Sequence, residues 1–191
     1  MTTKTHARTR TLVEGALMIA LSTVLSYFPI YELPHGGSVT FVSMLPIILM
    51  SLRHGPKWGL FTAFVHSLIQ LFLGLKNLTY CQTLGAQIGC VLLDYVLAFT
   101  LLGLACVFAK PFKNRTLGVA VGTAAVCVLR FLCSYFSTVF VWFATAPEGL
   151  PVWLFGITYN GAYMLPELIL TTAAAVLLQR TAPQFFELQR A

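Results

Sequence analysis

Long apolar stretches separated by short polar ones run the length of the chain. Several approach the ~20 residues that cross a hydrocarbon core. They predict helices at about 11–29, 38–52, 58–74, 84–108, 117–145 and 153–179. The breaks are rich in turn residues: "FPIYELPHGG", "RHGPKWG", "GLKNLTYCQ", "AKPFKNRTLG" and "TAPEGLP". The second stretch is the shortest and carries Pro46.

Within the stretches, polar residues recur at helical spacing, so each set shares a face. Thr62, His66 and Gln70 align on the third helix; Gln87 and Asp94, with Tyr95 adjacent, on the fourth. Arg130, Ser134, Thr138 and Trp142 align on the fifth. Gly156, Asn160, Tyr163 and Glu167 align on the sixth, with Tyr159 alongside. Asp94 is the only charge between Tyr80 and Ala109, and an aspartate at the centre of a membrane helix costs about 2.5–3.5 kcal/mol on insertion scales. Lipid cannot satisfy such groups, so the stripes should face one another or a wet cavity. An acid flanked by aromatic rings suits a flat organic cation. Each stripe also has a plainer reading. Asp94 or Glu167 could neutralise Arg130, His66 could make one structural hydrogen bond, Asn160 could join helices, and Trp142 could anchor at the interface.

Composition agrees with the pattern. The chain of 191 residues is 58% hydrophobic and 9% charged, against roughly 25% charged in soluble domains. This predicts an all-α integral membrane protein, a six-transmembrane-helix bundle. Ten of the twelve Lys and Arg fall before helix 1, between helices 2 and 3 or 4 and 5, or after helix 6. The positive-inside rule therefore predicts that both termini are cytoplasmic, at a cell membrane. The net charge of +6 is topological, and no nucleic-acid partner is expected. Residues 1–10 and 186–191 read as cytoplasmic tails around a membrane domain at 11–185, with helix 1 retained rather than cleaved. The five cysteines show no ligand spacing, so free thiols, no metal and no cofactor are expected. P-loop, H-E-x-x-H and G-x-S-x-G motifs do not occur. The chain reads as a binder without an engine. On helix 1, Ala16 and Ala20 form a small-xxx-small face suited to close helix contact.

The segments "LVEGALMIAL", "LPHGGSVTFVSMLPIILMSLRHGPKWGL", "LLDYVLAF" and "GLPVWLFGITYNGAYMLPE" resemble the thiamine-specific substrate-binding subunits (S components) of energy-coupling factor (ECF) vitamin importers. The resemblance covers about residues 9–185. It implies a six-helix bundle that takes thiamine from outside, and partnership with a transmembrane coupling subunit and two ATPase subunits. ATP hydrolysis would then belong to the partners, not to this chain. It also implies ligand contacts at Asp94, Tyr95, Arg130, Trp142 and Asn160, and docking on the coupling subunit through Ala16 and Ala20. The family's ligand-touching histidine of helix 5 is Ser134 here, a helix 3 tryptophan of some members aligns with His66 and a helix 6 tyrosine with Phe155, and Gly36 and Gly37 stand where one branch has tryptophan. In the resulting picture Asp94 offsets the thiazolium charge, and Tyr95 and Trp142 pack on the rings. Asn160, with Ser134 or His66, hydrogen-bonds the pyrimidine edge, beside Tyr159. Arg130 orients Asp94 or meets a polar ligand group. The alternatives are an S component for another vitamin or thiamine precursor, a stand-alone proton-coupled transporter and, least favoured, an intramembrane enzyme.

Overall fold

The computed structural model describes residues 2–33 and 37–187; Gly36 and residues 188–191 of the expected C-terminal tail lie outside the described residues. Helix dominates. α1 (Thr2–Ser26) is followed by a hairpin of β1 (Pro29–Glu32) and β2 (Ser38–Thr40). Next come α2 (Leu45–His54) and α3 (Pro56–Leu73), then the helical run α4 (Leu84–Ala109), α5 (Arg115–Phe140) and α6 (Val152–Thr181). Short 3-10 turns at Leu75–Tyr80, Phe143–Thr145 and Pro183–Phe186 complete the chain. By length and composition α4, α5 and α6 can each cross a membrane, whereas α2, at ten residues, is too short to do so alone.

The predicted second helix differs most from what forms. Residues 38–40 pair antiparallel with β1, Glu32 opposite Ser38 and Tyr31 opposite Val39. β-Branched Val39 and Thr40 favour extended backbone, and Val42 takes a positive φ of 53°, so helix begins only at Leu45. Pro46 sits in the first turn of α2, where a missing N–H costs nothing. Gly55, at φ 83°, ends α2 and lets α3 start at once. α5 also ends earlier than its apolar run suggests, at Phe140, and α1 is helical from Thr2 instead of residue 11. Thr83 and Asn114 cap α4 and α5 by accepting from the N–H groups of Ala86 and Leu117.

Small residues bring the helices close. A β-carbon on Gly103 of α4 would lie 2.5 Å from the Gly59 backbone of α3, and one on Gly122 of α5 would lie 2.5 Å from the Ala105 carbonyl oxygen. Ser51 reaches from α2 into α4, donating to the Gly103 carbonyl at 2.6 Å and accepting from Cys106 N–H at 3.1 Å. That hydroxyl serves backbone groups near the 3-10 turn at Leu101–Leu104, where the α-helical ladder is interrupted. Met44, Ile47, Ile48, Ala63, Leu102 and Val126 form the central core. A second core holds Leu49, Val119, Ala175 and Phe186. Phe186 is held there by backbone contacts: Arg115 donates to its carbonyl at 2.6 Å, and Arg53 donates to the carbonyls of Gln184 and Phe185. At the same end Glu14 meets His54 at 2.6 Å and Arg53 at 3.2 Å. The outward faces carry large apolar side chains, among them Leu17, Leu21, Phe72 and Leu177, as lipid contact requires.

Candidate functional site

One stretch of α4 departs from the regular helix in a way that its sequence does not announce. "VLLDYVL", Val91–Leu97, is wound as π-helix instead of α-helix. A π turn inserts an extra residue per turn and re-aims the side chains around it, and such turns concentrate at functional sites. Here it carries Asp94 and Tyr95. Asp94 turns inward, where its Oδ2 accepts from the Ser137 hydroxyl at 2.7 Å and the Trp142 indole N–H at 2.9 Å. Its other oxygen takes neither bond.

Asp94 opens on a cavity of about 350 Å³ enclosed by α3, α4, α5, α6 and the β2 segment. Tyr95, Arg130, Ser134, Trp142, Tyr159 and Asn160 also form its wall. The structure therefore brings together seven of the eight candidate ligand residues. His66 is the exception. It lies behind the wall, 2% exposed, with Nε2 3.2 Å from Ser22 Oγ and its ring edge-on to Phe99 at 5.5 Å. Phe99 itself faces the cavity, under the guanidinium of Arg130 at 4.3 Å from its ring centre.

The individual bonds refine the sequence reading. Among the described residues Arg130 makes no ion pair with Asp94 or Glu167, and its Nε lacks a hydrogen-bond partner. Asn160 spends its amide hydrogens inside the protein, donating to Thr138 Oγ1 and to the Gly156 carbonyl, both at 2.8 Å. Its oxygen accepts from Tyr163 O–H at 2.8 Å. The Tyr95 hydroxyl accepts from Asn77 Nδ2 at 2.8 Å and donates to the Gly74 carbonyl at 3.1 Å. That fastens the Leu75–Tyr80 turn over α4. A β-carbon at Gly74 would lie 2.1 Å from that hydroxyl. Tyr159 lies tilted against Phe155 with ring centres 5.3 Å apart and accepts from Gly37 N–H at 3.4 Å.

Sequence reasoning left Ser137, Phe99, Thr40 and Glu167 out of the binding set, yet all but Ser137 line the cavity and Ser137 holds its acid. Ser137 lies three residues beyond Ser134 on the polar stripe of α5, which was the available signal. Thr40 offered none, because its position depends on the hairpin. A second hollow of about 870 Å³ adjoins the first at Gly37, Asn77 and Trp142 and widens toward Glu32 and Gln82. It lies over the start of α4 and the end of α5. Among the described residues no cluster of His, Cys, Asp or Glu is arranged to hold a metal.

Apolar helices able to cross a membrane, closing on a polar cavity with an inward carboxylate, define a helical membrane protein with an internal polar cavity. The chain belongs to the family described as Thiamine transporter protein (Thia_YuaJ), whose sequence model matches residues 12–187. It is 32% identical to Thiamine transporter ThiT of Bacillus subtilis, over 94% of this chain and 95% of that one. Thiamine transporter ThiT of Lacticaseibacillus paracasei is 26% identical, over 95% of this chain and 92% of that one. The solved structure of ThiT from Listeria monocytogenes matches with a TM-score of 0.77 at 25% identity, covering 95% of this chain and 99% of that one.

Proposed function

We propose that the protein binds thiamine from outside the cell, as the substrate-binding S component of an ECF-type importer. The observation that carries this reading is the carboxylate of Asp94, which lines the polar cavity with one oxygen braced by Ser137 and Trp142 and, among the described residues, no arginine in ion-pair contact. Burying an unneutralised carboxylate is costly. A ligand with a permanent positive charge recovers that cost when it binds, and a neutral one does not. Thiamine supplies the charge in its thiazolium, and its two flat rings suit walls made of Trp142, Tyr159 and Phe155. The indole edge of Trp142 is occupied by Asp94, which leaves its face for the ligand.

In this reading six segments cross the bilayer with both termini cytoplasmic. The second crossing consists of β2, the turn after it and α2 together. Lys and Arg gathered at one set of loops support that orientation. The second hollow, beside Trp142, then faces outward and is the entry path. Ala16 and Ala20 lie on the exposed side of α1, while Gly15 packs inward against Thr62 and Met50. That face would meet the coupling subunit, and two ATPases bound to it would drive release. The ligand test is a titration of purified protein with thiamine, following tryptophan emission and melting temperature. Saturating thiamine should quench the emission and raise the melting point; no change in either rejects thiamine as the ligand. Transport by the chain alone in proteoliposomes would favour a proton-coupled carrier instead.

A further inference from the structure

Glu167 is 3% exposed and belongs to the cavity wall. Its Oε1 accepts two short bonds from Thr40, one from the backbone N–H and one from the hydroxyl. Its Oε2 is buried without a partner among the described residues. A buried acceptor left unsatisfied needs a donor; Arg130 Nε and Thr171 Oγ1 are likewise without partners and neither bonds to it among the described residues. Asn160 has used both amide hydrogens, and Tyr163 gives its proton to Asn160.

Helix register shows at which end of the cavity this side chain lies. α5 and α6 run antiparallel, and Asn160 meets Thr138. One helical step per residue then sets Glu167 level with the turn holding Arg130. Asp94 is bonded to Ser137, one level with the outer part of the cavity. Seven residues of α5 separate Ser137 from Arg130, about 10 Å along the axis at 1.5 Å per residue. The two acids therefore stand at opposite ends of the cavity, and by register Arg130 is level with Glu167. That guanidinium repels a permanent cation, so the positive ring belongs beside Asp94 and a neutral donor belongs beside Glu167.

We infer that Glu167 is a second ligand-binding carboxylate, whose free oxygen accepts the exocyclic amino group of the ligand's aminopyrimidine. The inference rests on the thiamine reading above. It makes Glu167 the residue that distinguishes an amino from an oxo substituent on that ring, and it joins ligand occupancy to the β2 segment through the shared carboxylate.

The test compares thiamine with its 4′-oxo analogue, oxythiamine, on purified full-length protein by calorimetry. The wild type should favour thiamine by at least about tenfold, the value of one charge-assisted bond. In Glu167→Gln the amide oxygen keeps the Thr40 bonds and the NH₂ faces the ligand. Thiamine should then weaken by about tenfold or more while oxythiamine holds or improves, so the preference collapses. Thr40→Ala removes one latch bond and should lower both ligands alike, keeping the preference. If Glu167→Gln does not fold, Glu167→Asp, with its shortened reach, should show the same loss of preference. Equal affinity of the wild type for both ligands overturns the inference, as does an unchanged preference in either Glu167 variant. If the wild type binds neither, the thiamine reading itself fails.

Discussion

Asp94 gathers two donors on one oxygen at the wall of the cavity. Asp94→Asn keeps the shape and removes the charge, so thiamine affinity should fall about 10- to 100-fold, equivalent to roughly 1.5–3 kcal/mol for a bond to a charged group. Calorimetry reads the loss, and an unshifted melting point of the ligand-free protein would show that the fold survives. Tyr95 plays a different part, since its ring is buried and its hydroxyl ties Gly74 and Asn77 to α4. Tyr95→Phe should lower stability by about 1 kcal/mol per lost bond, visible as a lower melting temperature. At this scale the sequence was informative about which side chains are costly in lipid and therefore turned inward. It was silent on which of their atoms remain available. Asn160 looks like a ligand donor by its position on the stripe, but its hydrogens go to a carbonyl one turn away and to a threonine on α5. Spacing cannot report such internal satisfaction.

At the scale of elements, periodicity and length located the helices, and the differences arise where backbone geometry depends on tertiary neighbours. The π turn at Val91–Leu97 has no composition of its own; Val, Leu, Asp and Tyr read equally well as α-helix. The hairpin of β1 and β2 is too short for alternation to show, and it lies beside residues 34–36, which are outside the described set. Glycines at helix contacts were visible as letters but not as contacts. Gly103 touches Gly59 backbone-to-backbone, so Gly103→Val should force α3 and α4 apart. Overpacking of this kind costs about 1–3 kcal/mol or more. The expected result is a melting temperature several degrees lower, together with weakened ligand binding, because α4 carries Asp94.

For the molecule as a whole, charge asymmetry in the loops was legible because it follows from insertion physics alone. It leads to a direct check: a single cysteine placed at Lys76 or Glu148 in a cysteine-free background should react with an impermeant thiol reagent on intact cells. One placed at Lys113 should react only after lysis, and the reverse pattern would invert the topology. The α1 face with Ala16 and Ala20 stands clear of the bundle. Replacing both with tryptophan should leave thiamine affinity within about twofold and abolish co-purification with the coupling subunit. Undiminished co-purification would remove α1 from that interface.

Phe186 plugs a core otherwise built from α2, α5 and α6, and two arginines grip the backbone around it. The segment after α6 is therefore a structural keystone for the three helices beside it. Those helices can pair before it docks, but the end of the bundle near Glu14 and His54 stays unsealed until Phe186 is seated. Phe186→Ala, costing about 3–5 kcal/mol, should prolong exposure to membrane proteases in pulse-chase experiments.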